Sequence, residues 1–233
     1  MKRIVIAVAA VALSSMIAGT PGEVLAGTPS NAARQIPAGL TVVLKVKNFS
    51  VWKAVYDRES RARSAAGIRS SVVMREWSGQ RRVIVHIMGT NKSRMMRYVN
   101  SNRVGKLMRG AGVMAKPIFI AGTHMDLNPP TKREGTVAGG VVGLFEVRDF
   151  GKWMRIFKSG AKPQRGAGII AHLVARGTVG KRTRVVAMLA GTNRAVLKRF
   201  VESKETARAM AKGTVIGKAE LIYVDVVDTG SKP

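Results

Sequence analysis

The chain carries one short stretch twice: Val-Lys-Asn-Phe-Ser-Val-Trp at residues 46–52 recurs as Val-Arg-Asp-Phe-Gly-Lys-Trp at residues 147–153. In both copies a residue type that caps helices, Asn48 or Asp149, follows a run of β-branched and other apolar residues. The aromatic residues after each cap recur at spacings of three and four, which is the helical period. Each copy therefore predicts a strand followed by a capped helix with one aromatic face, formed by Phe49, Trp52 and Tyr56 or by Phe150, Trp153 and Phe157.

The repeat extends outward from this stretch at a spacing of 101 to 102 residues. Ala-Gly-Ile at 66–68 recurs at 167–169, and Gly-Thr-Asn at 89–91 recurs at 191–193, in the same order along the chain. A collinear repeat of this kind indicates an internal duplication. We predict two units, residues 39–127 and 139–229, joined by a polar, proline-containing linker at 128–138 and preceded by a flexible segment at 27–38.

Each unit has the pattern β-α-β-β-α-β. In unit 1 the predicted strands are 40–47, 71–77, 82–88 and 118–125, and the helices run from Asn48 to Gly67 and from 92 to 109. Unit 2 repeats the plan, with a helix after Asp149, a strand at 181–189, a helix at 193–212 and a strand at 219–227. Two helices on one face of a four-stranded antiparallel sheet define an α+β unit of ferredoxin-like type.

The stretches at 46–52 and 147–153, with Ala-Gly-Ile after the first helix, resemble the beginning of the dimeric α/β-barrel superfamily. This superfamily includes antibiotic-biosynthesis-monooxygenase-like and cyclase-like proteins. The resemblance implies that the two units form one intramolecular pseudo-dimeric α/β barrel, that the chain is a monomer, and that a pocket lies between the two sheets. The strand at 82–88 agrees, because apolar residues on both of its faces require cover on both sides.

Composition limits the chemistry. Among 233 residues there are 40 Lys and Arg, 13 Asp and Glu, three His and no Cys, with a net charge of +27. The lack of cysteine excludes disulfides, Cys-ligated zinc and iron–sulfur clusters. Three histidines argue against a His-rich metal centre, and neither second helix carries a histidine that could ligate haem. We predict no metal and no cofactor.

The N-terminus has the pattern of an export signal. Lys2 and Arg3 precede an apolar run at 4–13, which is too short to span a bilayer. We predict a signal peptide at 1–26, cleaved after Ala26; cleavage after Ala18 and a retained anchor are the alternatives. With no second apolar run of about 20 residues, the mature chain is expected not to insert into membranes and to reside in the periplasm or outside a bacterium.

Three residues are candidates for the pocket: His86, His172 and Trp77. A neutral imidazole inside the barrel could serve as a base or a ligand, although a hydrogen-bonded core histidine would give the same pattern. Trp77 has no aromatic counterpart in unit 2. We expect His124, near a strand end, to lie at the surface, and Trp52 and Trp153 to pack in the core. No catalytic residue can be assigned.

The positive charge is spread over both units, with a net charge of +13 at residues 41–127 and +11 at residues 141–233. Such a surface attracts polyanions, including nucleic acid, anionic lipid and acidic polysaccharide. A chain adapted to acidic surroundings would show the same composition. The residues expected to contact a polyanion are Arg94, Arg97, Arg103, Lys198 and Arg199.

Three functions remain open on the sequence. The first is an exported, strongly basic α/β-barrel protein that binds a small molecule in the pocket between its two sheets. The second is a cofactor-independent monooxygenase or cyclase that uses this pocket, with His86 or His172 required for turnover. The third is polyanion binding through the basic surface. The sequence leaves open whether the chain is an enzyme.

Overall fold

The computed structural model describes residues 38–79, 81–130, 134–179 and 182–229. The predicted signal peptide at 1–26, nearly all of the segment at 27–38 and the middle of the linker lie outside these ranges. Within them, no helix has the length and apolar character needed to cross a membrane.

The two units have the same order of elements. Unit 1 contains β1 (Ala38–Lys45), α1 (Phe49–Arg58), α2 (Ser60–Ala65), β2 (Ile68–Glu76), β3 (Arg82–Gly89), α3 (Lys92–Val99), α4 (Asn102–Gly110) and β4 (Ile118–Asn128). Unit 2 contains β5 (Gly139–Val147), α5 (Phe150–Ser159), α6 (Ala161–Gly166), β6 (Ile169–Val179), β7 (Arg182–Gly191), α7 (Arg194–Val201), α8 (Lys204–Lys212) and β8 (Val215–Asp228).

Side-chain caps define where the helices begin. The Asn48 side chain accepts from the Val51 amide, and the Asp149 side chain accepts from the Lys152 amide, as expected for the two copies. Each predicted helix is divided in two, and the reason is clearest in the second helix of each unit. There a serine, Ser101 or its counterpart Ser203, has extended backbone angles and caps a new helix.

The eight strands close into one barrel within the single chain. The order around the barrel is β1-β3-β2-β8-β5-β7-β6-β4, and all neighbouring strands pair antiparallel. Each unit contributes four adjacent strands, so the pseudo-dimeric α/β barrel predicted from the repeat is confirmed. β1 and β5 stand opposite each other in this order, which places the helices of the two units on opposite sides of the molecule.

Alternation along the strands separates an inner core from two outer cores. On β3, Val83, Val85 and Ile87 pack under the helices of unit 1, whereas Ile84 points into the barrel. Trp52 of α1 and Trp153 of α5 are buried between their helices and the sheets, as predicted, and stack on Tyr56 and Phe157 respectively. Both faces of each sheet are therefore covered.

Polar and aromatic contacts fasten the seam between β2 and β8. Arg82 of unit 1 pairs with Glu220 of unit 2 at 2.8 Å and also with Glu76. The Trp77 ring stacks on the Tyr223 ring with centroids 5.2 Å apart. These contacts join the two units directly, so the units behave as parts of one barrel.

Candidate functional sites

The centre of the barrel is filled by side chains. A single apolar cluster spans the barrel and includes Val43, Ile84, Val142, Leu144, Val186 and Ile222, all buried. The two helix–sheet cavities lie outside the barrel. The pocket expected between the two sheets is thus replaced by packed core over the part of the barrel that this cluster occupies.

A buried polar cluster interrupts this apolar interior. Nε2 of His86 on β3 lies 2.7 Å from Nε2 of His124 on β4, and the Thr41 hydroxyl on β1 lies 2.9 Å from Nδ1 of His86. All three side chains are fully buried. His124 therefore belongs to the interior, and the surface position expected for it was wrong.

The electrostatic consequence of burial is clear for His86. Burial first, and repulsion from a protonated His124 second, lower the pKa of His86 to about 3. The His86 imidazole is therefore neutral near pH 7. Since the Nε2 atoms of the two rings face each other at hydrogen-bond distance, one Nε2 carries the proton and the other accepts it.

His172 lies outside the barrel, which corrects its assignment to the interior. On β6 the barrel-facing residues are Leu173 and Ala175, so His172 points to the helix side. Its ring packs edge-on against Phe157 on α5, and its Nε2 lies 3.6 Å from a carboxylate oxygen of Asp126. His86 and His172 are thus in different environments and do not share a pocket.

Trp77 also lies outside the barrel interior. Its ring stacks on Tyr223, and the Arg194 guanidinium lies 5.1 Å from the ring centroid. An ideal Cβ at Gly139 would come within 2.6 Å of the ring, so the missing side chain there makes room for the indole. Trp77 is a contact between the two units at the seam of β2 and β8.

Each unit contains a cavity between its helices and the outer face of its sheet. The cavity of unit 1 has a volume of about 80 Å³ and that of unit 2 about 130 Å³. Fourteen of the sixteen lining residues in each are related by the repeat. The two cavities are therefore the same feature of the duplicated fold, at different sizes.

The size difference follows from specific replacements between the copies. Where unit 1 has Val85 and Leu107, unit 2 has Ala187 and Ala209, which removes five carbon atoms from the wall. Glu59 is likewise replaced by Gly160. At Gly143, the counterpart of a valine, the Phe145 ring moves into the vacated space, since an ideal Cβ would be 3.0 Å from it.

The polar groups at the wall of the unit 2 cavity are satisfied by the backbone. Gln164 is 8% exposed, and its Nε2 donates to the Phe157 carbonyl at 3.3 Å. The Thr206 hydroxyl donates to the Phe200 carbonyl at 2.7 Å. The wall that remains is apolar and aromatic, from Trp153, Phe157, Phe200 and Leu221 among others.

The five candidate cations for polyanion binding lie on the helices but do not form one patch. Arg94 and Arg97 are exposed on α3, and Lys198 and Arg199 are exposed on α7 on the opposite side of the barrel. Arg103 is paired with Glu59 at 2.7 Å. The sequence repeat therefore produces two separate basic surfaces.

Comparison with solved structures supports this fold. The chain resembles an anthrone oxidase-like protein (TM-score 0.62, 12% identity, covering 84% of this chain and 93% of that one). It also resembles a proposed monooxygenase of Fusobacterium nucleatum (TM-score 0.58, 9% identity, covering 84% of this chain and 95% of that one). A third similar structure is a haem-binding protein of Thermus thermophilus (TM-score 0.51, 12% identity, covering 82% of this chain and 92% of that one). No family model and no curated protein sequence matches the chain. The chain therefore shares the fold of these proteins, a ferredoxin-like α/β barrel, as the resemblance found in the sequence implied.

Haem does not fit either helix–sheet cavity. Pockets for drug-sized ligands have volumes of about 300–1,000 Å³, and the larger cavity here has about 130 Å³. No histidine lines either cavity. We therefore derive no haem chemistry at either of these two cavities.

Proposed function

We propose that this chain binds a small apolar molecule in the helix–sheet cavity of unit 2. The single observation that supports this is the enlargement of that cavity relative to its repeat equivalent. Empty space under a helix layer lowers stability, because each buried methylene lost from a core removes about 1 kcal/mol. Unit 2 has Ala187 and Ala209 where unit 1 has Val85 and Leu107, and it therefore lacks the stability that these larger side chains provide. A bound ligand would restore that stability.

The size and wall of the cavity define the class of ligand. An apolar cavity of about 150 Å³ can bind benzene or xenon, and this cavity has about 130 Å³. Its aromatic wall favours offset or edge-to-face packing with another ring. The proposed ligand is therefore a single aromatic ring with at most small substituents. The site proposed from the sequence, between the two sheets, is replaced by this one.

The test is a titration with toluene and phenol, followed by methyl NMR of the alanine, leucine and isoleucine signals in both units. We expect saturable shifts at Ala187, Ala209 and Leu189 and none at Ile87 or Leu107. The variants Ala187→Val and Ala209→Leu restore the residues of unit 1 and should weaken toluene binding at least about 10-fold, since they fill the space that the ring needs.

The matched control uses the other copy. Val85→Ala and Leu107→Ala give unit 1 the two alanines of unit 2 and should create a second toluene site there. Binding that is unchanged by Ala187→Val and Ala209→Leu would contradict the proposal, as would shifts spread equally over both units in the unmodified chain.

We favour binding over catalysis because the unit 2 cavity has no group suited to acid–base chemistry. Its polar side chains are Gln164 and Thr206, and neither is a base. His86 is a poor base near pH 7, since a catalytic pKa lies near the working pH and its own is about 3. The alternative, a cofactor-independent monooxygenase, is tested by adding anthrone and measuring oxygen consumption. We expect no more consumption than in buffer without the protein. Turnover abolished by His86→Gln or His172→Gln would establish the enzyme instead.

Polyanion binding is a second candidate, supported by the exposed cations on α3 and α7. The test is the salt dependence of affinity for duplex DNA and for heparin. On DNA, each phosphate contact contributes about 0.9 to the slope of log affinity against log salt concentration. The double variant Arg94→Gln, Arg97→Gln removes two such contacts and should therefore reduce the magnitude of this slope by about 2. Arg103→Gln, which removes an ion-paired arginine, is the control and should change the slope less. An affinity independent of salt would exclude this function.

We also propose that the chain acts after export, in the periplasm or outside the cell. The support is the sequence of residues 1–26 alone. Intact mass of the protein from the exported fraction should correspond to a chain that begins at Gly27. A mass that includes Met1 would favour the retained anchor.

A further inference from the structure

The barrel contains a buried histidine pair that the proposed ligand cavity does not use. His86 and His124 reach it from β3 and β4, on either side of β1, and their Nε2 atoms are 2.7 Å apart. Both side chains are fully buried, although histidine seldom is. Two imidazole nitrogens that converge in an apolar interior are an arrangement that metal ions use.

The surroundings orient both rings toward one point. The Thr41 hydroxyl, 2.9 Å from Nδ1 of His86, can accept from that nitrogen and so leave the lone pair of His86 on Nε2. Gly39 provides the space, because an ideal Cβ there would be 2.5 Å from Nε2 of His124 and 3.1 Å from Cε1 of His86. A metal-ligating histidine usually donates its other ring N–H to an acceptor that fixes its tautomer, and the Thr41 hydroxyl can take this role.

A sulfur atom is available on the same inner face of the sheet. Met88 pairs directly with Gly39 in the register of β1 and β3, so its side chain leaves the sheet on the face that carries the histidine pair. Met88 is partly exposed, whereas both histidines are buried. Met88 is therefore the sulfur-bearing residue of β3 that shares a strand face with His86.

We propose that His86, His124 and Met88 form a site for a soft monovalent cation, Cu(I) or Ag(I). Thioether and imidazole are ligands that suit copper, whereas calcium and magnesium require oxygen ligands. Structural zinc takes four ligands, and no three of His, Cys, Asp and Glu cluster anywhere in the described ranges. A buried divalent ion without a carboxylate partner is also costly in a chain with a net charge of +27.

Binding requires a small rearrangement of the two rings. A cation bound by both Nε2 atoms at about 2.0 Å each needs them farther apart than 2.7 Å. The proton that one Nε2 carries moves to Nδ1 of the same ring, so both lone pairs face the ion. The bound ion adds one positive charge to the barrel interior.

The experiment measures uptake of Ag(I) by native mass spectrometry and of Cu(I), under reducing and oxygen-free conditions, against a chromophoric chelator. We expect one ion per chain. His86→Gln and His124→Gln should each lower Cu(I) affinity at least about 100-fold, and Thr41→Val about 10- to 100-fold. His172→Gln, which changes the histidine outside the barrel, is the matched control and should leave the affinity unchanged, as should Met114→Leu on the surface.

Two further variants keep the test decisive if a glutamine in the barrel prevents folding. Thr41→Val retains both imidazoles, and Met88→Leu retains the whole pair while removing the thioether; near-UV circular dichroism reports whether each is folded. A folded Met88→Leu chain with about 10-fold weaker Cu(I) binding supports the site, since one of three donors is lost. Absence of stoichiometric uptake by the unmodified chain would overturn the proposal, as would equal losses in His86→Gln and His172→Gln.

Discussion

Gly39 shows how a single absent Cβ determines a contact inside the barrel. The imidazoles of His86 and His124 occupy the space next to its Cα, and a methyl group would be 2.5 Å from Nε2 of His124. Real Cβ atoms do not approach other atoms so closely, so a side chain at this position must displace at least one ring. The glycine is required by its neighbours and not by its own backbone angles.

Gly39→Ala should therefore destabilise the chain, by about 1–3 kcal/mol, the usual cost of overpacking a core. Chemical denaturation monitored by tryptophan fluorescence measures this loss. The control is Gly166→Ala on α6, where nothing lies within 4 Å of the new methyl group. That variant should be neutral or more stable by about 0.4–1 kcal/mol; equal losses for both would show that the histidine pair does not restrict residue 39.

At the scale of elements, two serines divide what the sequence predicts as single helices. Ser101 and Ser203 accept from the amides of Val104 and Thr206 and begin α4 and α8. The apolar period continues through both breaks, so periodicity alone predicted helices at 92–109 and 193–212. The signal that could have found the breaks is the repeat itself, because a serine stands at the same place in both copies.

Ser101→Ala and Ser203→Ala should each lower stability by about 0.5–2 kcal/mol, the usual value of a helix N-cap. Because the two caps lie on opposite sides of the barrel, the effects should add in the double variant. Thermal unfolding measures both. Ser159→Ala, whose exposed hydroxyl donates only to the Ile156 carbonyl, is the control, and its effect should stay within about 0.5 kcal/mol.

At the scale of the molecule, the barrel depends on both units being present. In isolation, unit 1 would expose Val43, Met74, Ile84 and Ile120, which are buried against residues of unit 2. A sheet with such an apolar face does not remain in water without a partner. The barrel closes only when both units supply their four strands, which meet at the seams between β2 and β8 and between β4 and β6.

A chain of residues 38–130 alone should therefore form a homodimer or aggregate, whereas the full chain should be a monomer. Size-exclusion chromatography with light scattering distinguishes these states. A soluble monomer of the isolated unit with native-like near-UV circular dichroism would contradict this prediction, since its inner face would then be stable in water.

Much of this architecture could be predicted from the sequence, and the sites could not. The repeat, the caps at Asn48 and Asp149 and the buried Trp52 and Trp153 follow from local patterns. The contact between His86 and His124 depends on the register of β3 and β4 across β1, which no local pattern specifies. The placement of His172 outside the barrel likewise depends on which face of β6 turns inward.

The fusion of both halves into one chain has a consequence for how this barrel can change. In a homodimer one stretch of gene encodes both halves, so every substitution appears twice and weakens two cores at once. Here a substitution can occur in one half only, as the difference between Val85 in unit 1 and Ala187 in unit 2 shows. One half can keep its dense core and hold the fold, while the other half is free to diverge.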